Sequence, residues 1–163
     1  MRVFIPIFLL VFLGQTAIAN PGNGKEYAKT YYKNGQLQAE GWLSMDTKNG
    51  YWKFYHSNGQ LASKGHFKAG KKTGYWYFYN SEGFLEKEGH FLKDKSENWW
   101  IFYEIGTQNS QRLQFKKGKK DGVCLIYKKK KLVKAQRYSA NKKLGEWTSV
   151  FAFKSDNPDI SLR

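Results

Sequence analysis

Residues 74–83 read Gly-Tyr-Trp-Tyr-Phe-Tyr-Asn-Ser-Glu-Gly, and near copies of this stretch stand at a fixed distance on both sides. Residues 50–59, which lie 24 positions earlier, read Gly-Tyr-Trp-Lys-Phe-Tyr-His-Ser-Asn-Gly. Residues 98–103, 24 positions later, read Asn-Trp-Trp-Ile-Phe-Tyr. Self-similarity at a fixed period of this size indicates a repeat architecture, so we interpret the chain on a 24-residue period.

The aromatic residues fall into columns on this period. One column consists of tyrosines, namely Tyr31, Tyr55, Tyr79, Tyr103 and Tyr127. The columns that we assign to the core are Trp52, Trp76 and Trp100, then Phe54, Phe78 and Phe102, and finally Phe67, Phe91 and Phe115. A sheet without helices has little else to bury, which is why we place these rings in the core. The tyrosines either pack in the same way or form an exposed platform on which a sugar or a partner stacks.

Each repeat predicts two short strands. Aromatic side chains fit a pleated surface, and the two-residue spacing of Trp76 and Phe78 points both to one face. A turn that contains glycine follows the first strand, and a Gly/Lys-rich turn follows the second. The predicted fold is therefore all-β, an elongated and largely single-layer antiparallel meander of about five β-hairpins.

A glycine stands inside the second strand of three repeats, at Gly41, Gly65 and Gly89. Glycine weakens a strand interior, so its recurrence needs a reason. We predict that each glycine leaves room for the indole of an adjacent strand.

The N-terminal residues predict export. Arg2 supplies a positive charge, residues 3–14 are almost wholly apolar, and Ala17 to Ala19 provide small residues at a cleavage site. The apolar run is shorter than the roughly 20 residues that a membrane-spanning helix needs. We therefore predict a signal peptide over residues 1–19, cleaved after Ala19, and a periplasmic, cell-surface or secreted protein.

The remaining chain is divided into three parts. Residues 20–26 are predicted to be a flexible segment, residues 27–153 the repeat domain, and residues 154–163 a C-terminal tail. Within the repeat domain, Val150, Phe151 and Phe153 alternate in the manner of a closing strand.

The segment from Gly50 to Gly74 carries a family resemblance. Its pattern of glycines, aromatic residues and a Gly-Lys connector resembles the bacterial variant of the MORN repeat. The resemblance implies an elongated antiparallel sheet and a non-enzymatic role in binding or scaffolding, and some members of the family are antitoxin-like. Residues 76–83 also resemble choline-binding or glucan-binding cell-wall repeats, but those are shorter and lack the Gly-Lys connector, so the spacing favours the MORN variant.

Few residues could carry catalysis or bind a metal. His66 and His90 are repeat equivalents, which places them about 10 Å apart in stacked hairpins. One zinc ion, with ligand bonds of about 2 Å, cannot bridge that distance. The single cysteine, Cys124, occupies the tryptophan column and is interpreted as a small core residue. We expect no catalytic residue, cofactor or metal.

The chain has a formal net charge of +15, and the predicted fold determines where its basic residues lie. Every second turn of an antiparallel meander lies at the same end of the sheet, so the Gly/Lys-rich turns predict a cationic edge. Its lysines are Lys68, Lys71, Lys72, Lys95, Lys116, Lys117, Lys119, Lys120, Lys142 and Lys143. Such a row suits an anionic envelope component, either a lipid headgroup or a polysaccharide, or an acidic protein. Lysines in turns also maintain solubility and protect sheet edges without binding anything.

These observations favour a non-enzymatic exported binding or scaffold module. The alternatives are an envelope carbohydrate binder that uses its aromatic residues and an antitoxin-type or immunity-type partner of another protein. Nucleic acid fits the charge and the aromatic content but is disfavoured by export. The sequence leaves the ligand and the oligomeric state open.

Overall fold

Eleven antiparallel strands form one sheet, and each strand pairs with its neighbours in the sequence. The structure is a computed structural model that describes residues 24–160. The strands are β1 Lys25–Tyr31, β2 Leu37–Ser44, β3 Thr47–Tyr55, β4 Leu61–Lys68, β5 Lys71–Tyr79, β6 Leu85–Leu92, β7 Lys95–Tyr103, β8 Ser110–Lys116, β9 Lys119–Lys128, β10 Lys131–Ser139 and β11 Lys142–Trp147, and the helix α1 is Val150–Asp156. The predicted all-β meander is confirmed.

Two-residue turns define one edge of the sheet, which we call the turn edge. They consist of Met45–Asp46, Ala69–Gly70, Lys93–Asp94, Lys117–Gly118 and Ala140–Asn141. The backbone φ is positive at both residues of every one of these turns, as type I′ hairpin turns require. Backbone hydrogen bonds join each turn to the start of the strand that follows the preceding turn, such as Gly70 N to Lys48 O at 2.9 Å and Gly118 N to Ser96 O at 2.8 Å. The turns of successive repeats are therefore held in register.

The side of the sheet that carries Trp52, Trp76 and Trp100, which we call the Trp face, contains the aromatic core. Each of the three indoles is at most 3% exposed. A Cβ placed on Gly41, Gly65 or Gly89 would overlap the indole of Trp52, Trp76 or Trp100 respectively. The prediction that these glycines make room for an indole is confirmed.

The opposite side of the sheet, which carries Tyr75 and Tyr77 and which we call the Tyr face, is covered by α1 at the C-terminal end of the sheet. Phe153 is fully buried against a cluster that includes Val123, Leu125 and Ala135. The closing strand predicted over residues 150–153 is wrong, because this segment is helical. Ser149 caps the helix by accepting the backbone N–H of Ala152, and Phe151 remains 84% exposed.

The fifth repeat is one residue shorter than the others, and the register between β10 and β11 shifts by one residue where it shifts by two at the same place in the earlier repeats. The turn Lys129–Lys130 has positive φ at both residues and replaces the longer glycine-containing loop. Trp147 pairs with Ala135 and packs edge-on against Phe153, with ring centroids 5.2 Å apart. It therefore lies on the Tyr face and does not extend the row of indoles.

The limits of the repeat domain differ slightly from the predicted ones. The first strand already begins at Lys25, and α1 includes residues 154–156, which were assigned to the tail. The predicted signal peptide, residues 1–19, lies outside the described part of the chain. Among residues 24–160, no helix is long and apolar enough to cross a membrane.

Candidate functional site

Four lysines of the predicted cationic edge lie at equivalent places on the turn edge. Lys71, Lys95, Lys119 and Lys142 are the first residues of β5, β7, β9 and β11, and all four are exposed. Equivalent positions in alternate strands of a sheet are about 10 Å apart, because adjacent strands are spaced at about 4.8 Å. The result is a row of ammonium groups with a regular spacing.

The other predicted lysines divide into two groups. Lys68, Lys116 and Lys117 are exposed at the ends of strands or in a turn beside this row. Lys143 also lies there, but its Nζ is 3.2 Å from Glu146 Oε2. Hydrogen bonds from Lys134, Gln136 and Lys143 lower the pKa of Glu146 to about 2, so this carboxylate stays ionised beside them.

Lys72 and Lys120 do not extend along the turn edge but lie over aromatic rings. Lys72 Nζ is 4.8 Å from the centroid of the Trp76 ring, and Lys120 Nζ is 5.3 Å from that of Tyr138. Both are the second residue of their strand, so their side chains project to the opposite side from Lys71 and Lys119. Lys72 and Lys120 therefore lie on the Trp face and are not part of the predicted row of lysines on the turn edge.

The acidic residues of the turn edge bind backbone groups of the turns. Asp94 Oδ1 accepts the backbone N–H of Lys72 at 2.8 Å, and Glu97 Oε2 accepts that of Lys117 at 2.8 Å. These carboxylates hold consecutive turns together. Within residues 24–160, Lys71, Lys95, Lys119 and Lys142 form no ion pair with a carboxylate.

The predicted aromatic platform consists of tyrosines that lie at the ends of alternate strands. Tyr55 donates its hydroxyl to Glu40 at 2.7 Å, and Tyr103 donates to Glu88 at 2.6 Å. Burial, followed by the hydrogen bond to Glu40, raises the pKa of Tyr55 to about 12. The same bond is the main cause of the lowered pKa of Glu40.

The remaining tyrosines of this column lie beside cations or are exposed. Lys64 Nζ is 5.8 Å from the ring of Tyr79, and the Arg112 guanidinium is 5.3 Å from the ring of Tyr127. Tyr31 is 59% exposed. Sequence reasoning missed the charged partners, although they share the 24-residue spacing and could have been found as a column: Glu40, Lys64, Glu88 and Arg112.

The Trp face contains an open cleft of about 760 Å³ between β1 and β5. Its apolar lining includes Trp52, Phe54 and Phe67, and its cationic lining includes Lys48 and Lys72. The two lysines are repeat equivalents, 24 residues apart. Neither the cleft nor Lys48 was predicted from the sequence. A second cleft of about 640 Å³ lies further along the sheet and is lined by Phe102, Leu113, Phe115 and Lys120 among others.

The histidines and the cysteine that were considered as metal ligands pack against other side chains or are buried. The rings of His66 and His90 pack edge-on against Tyr51 and Tyr75, with centroids 4.9 and 4.7 Å apart. Burial raises the pKa of the Cys124 thiol, which keeps it protonated. The described part of the chain contains no group of three or more His, Cys, Asp or Glu side chains that could hold a metal ion.

Comparison with known families gives one match. Residues 27–41 and 48–69 match the MORN repeat variant. These segments correspond to β1, the start of β2, and the hairpin of β3 and β4. The match shows that these two segments are similar to MORN repeats, and the hairpin of β5 and β6 repeats the same aromatic and glycine columns. No curated protein matches the chain.

Proposed function

We propose that the protein is an exported scaffold without catalytic activity, and that its turn edge binds a repeating anionic component of the cell envelope. The observation that carries this proposal is the regular row formed by Lys71, Lys95, Lys119 and Lys142 on turns that are hydrogen-bonded in register. A row of fixed charges attracts a surface whose own charges repeat, such as lipid headgroups or an acidic polysaccharide.

Two further features support a binding role. MORN repeats in a β-sheet form a non-catalytic repeat module, which agrees with a scaffold. The acidic side chains on the turn edge accept backbone N–H groups, as Asp94 does from Lys72, and Asp121 Oδ2 does from Ala140 at 3.1 Å. Their oxygens are therefore partly occupied, and the exposed ammonium groups beside them are left to interact with an external anion.

The test compares two edges of the same sheet. The purified protein is sedimented with vesicles of phosphatidylcholine with and without phosphatidylglycerol, and it is also applied to immobilised heparin. One variant carries Lys71→Glu, Lys95→Glu and Lys119→Glu on the turn edge. The control carries Lys33→Glu, Lys128→Glu and Lys131→Glu at the opposite edge, where the net charge changes by the same amount.

We expect retention on at least one anionic matrix, with a steep decrease as salt rises from about 0.05 to about 0.5 M, because exposed charges are screened in this range. The turn-edge variant should lose most of its retention, and the control should keep most of it. Equal loss in both variants would show that only net charge matters and would contradict the proposed edge. Failure of the unchanged protein to bind either matrix would overturn the proposed class of ligand.

Export is tested separately. The full chain is expressed in a Gram-negative host, and the N-terminus of the protein from the periplasm or medium is sequenced. We expect the mature chain to begin at Asn20. A cytoplasmic protein that still begins at Met1 would contradict export.

A further inference from the structure

The cleft on the Trp face combines an aromatic floor with cations and has no acidic lining residue. Its lining includes the rings of Trp52, Phe54 and Phe67, and neither Asp nor Glu contributes to it. Its volume of about 760 Å³ is within the range of about 300–1,000 Å³ that is usual for small-molecule sites. The cleft is separate from the turn-edge lysines, so a ligand bound here is independent of the proposed function.

The cations of the cleft are positioned directly over rings. Lys48 Nζ is 5.0 Å from the centroid of the Trp52 ring, and Lys72 Nζ is 4.8 Å from that of Trp76. Lys87, on the next strand, adds a third ammonium group near this region. Its Nζ is 5.2 Å from the ring of Phe78, which Lys72 Nζ also approaches, at 5.4 Å.

These lysines have no carboxylate ion pair within residues 24–160. Burial lowers the pKa of Lys72, the nearby Lys87 lowers it further, and Asp94 opposes both effects. Asp94 uses Oδ1 to accept the backbone N–H of Lys72 and does not form an ion pair with its ammonium group. A partly buried ammonium group beside a like charge is stabilised by an anion that comes close to it.

We propose that this cleft binds an amphipathic anion, a small molecule with an aromatic or aliphatic body and one carboxylate or sulfonate group. The apolar body packs on Phe54, Phe67 and the edges of the indoles. The anionic group is bound by Lys48 or Lys72. The positive charge of the cleft favours a negatively charged ligand. Its aromatic floor disfavours small inorganic anions, because these have no apolar surface to bury.

Two fluorescent probes that differ in one charged group test this proposal. 8-Anilinonaphthalene-1-sulfonate carries a sulfonate, and N-phenyl-1-naphthylamine has the same ring system without it. Each probe is titrated into the protein at low salt. We expect saturable binding of the sulfonate probe and an affinity at least about fivefold higher than that of the neutral probe, because the contact is charge-assisted.

Lysine-to-methionine variants then locate the site, because methionine keeps an apolar stem of similar length and removes the charge. Lys48→Met combined with Lys72→Met should lower the affinity for the sulfonate probe about fivefold or more and leave the neutral probe unchanged. The matched control, Lys53→Met with Lys131→Met, removes two exposed charges at positions outside both the cleft lining and the turn-edge row. Lys72→Arg keeps the charge and should retain binding.

Cooperative thermal unfolding of each variant shows that the probe is binding to a folded protein, since partly folded states also bind the sulfonate probe. Equal affinity of the unchanged protein for both probes would overturn the proposal. So would equal loss of sulfonate binding in the two double variants, or a complete lack of sulfonate binding to the unchanged protein.

Discussion

The indole of Trp76 lies against Gly65 on the neighbouring strand, in the space that a Cβ would occupy. Trp76 Nε1 donates to the backbone oxygen of His66 at 3.2 Å, which fixes the ring over the glycine. The ring is fully buried although the strands form a single sheet. A single-layer sheet thus buries its largest side chains by laying each across the backbone of the preceding strand.

We predict that Gly65→Ala destabilises the protein. The new methyl group would overlap the indole, and overpacking of this kind costs about 1–3 kcal/mol. Ser63→Ala, two residues away on the same strand, should change the free energy of unfolding by less than about 0.5 kcal/mol. Urea denaturation measures both. Similar values for the two variants would show that the indole moves aside without cost.

The Trp–Gly pairing explains why the fold could be predicted from the sequence. The same interactions recur every 24 residues, so each repeat is an independent observation of one local pattern. Gly41, Gly65 and Gly89 made little sense as strand residues until a neighbouring ring was invoked. The prediction of the fold holds where successive hairpins are equivalent, and it is wrong where the repeat ends.

We predict that Phe153→Ala strongly destabilises the C-terminal end of the sheet. Phe153 of α1 is fully buried against the sheet, and removal of a buried phenylalanine costs about 3–5 kcal/mol. Phe151→Ala should cost less than about 0.5 kcal/mol because Phe151 is 84% exposed. The free energies of unfolding in urea give the comparison, and a larger effect of Phe151→Ala would contradict the helical arrangement.

The helix could not be predicted because the C-terminal sequence satisfies two periods. Phe151 and Phe153 alternate as in a strand, whereas Val150 and Phe153 have the i, i+3 spacing of a helix. Ser149 is a helix-start signal that the sequence shows and that was overlooked. The Tyr face beside Val123, against which Phe153 packs, is visible only once the sheet is known.

The site residues were predictable only in part. The turn-edge lysines follow from the topology, because equivalent turns share an edge. Two-residue alternation within β5 also places Lys72 on the same face as Trp76, and this signal was overlooked. By contrast, the cleft depends on how far side chains reach over the sheet, which the sequence pattern does not specify.

We predict that alkaline pH destabilises the protein in part through Tyr55. The folded-state pKa of this tyrosine is raised to about 12 from 10.0, so the unfolded chain loses its proton first. The stabilisation is complete below pH 10 and is lost as the pH rises through about 12. The midpoint of urea unfolding should therefore fall over this window, and it should fall less steeply in Tyr55→Phe. Parallel profiles of the two proteins would contradict this assignment.

The ammonium group of Lys72 is the clearest case in this sheet of a charge placed at a cost. It is partly buried over Trp76 and Phe78, and Lys87 adds a like charge nearby. A cation over a ring recovers about 0.5–1 kcal/mol at exposed sites and about 2 kcal/mol where it is desolvated, and a thioether against aromatic rings recovers about 0.3–1.5 kcal/mol. Replacement by methionine therefore keeps the packing and removes the desolvation of a charge.

We predict that Lys72→Met raises the free energy of unfolding by about 0.5–1 kcal/mol, the size expected when a residue retained for function is replaced by one suited to packing. Lys71→Met, on the neighbouring exposed residue, should change it by less than about 0.5 kcal/mol. Urea denaturation in the absence of any ligand measures both variants. A loss of more than about 1 kcal/mol in Lys72→Met would mean that the ammonium group itself stabilises the sheet, and Lys72 would then need no anion to explain its position.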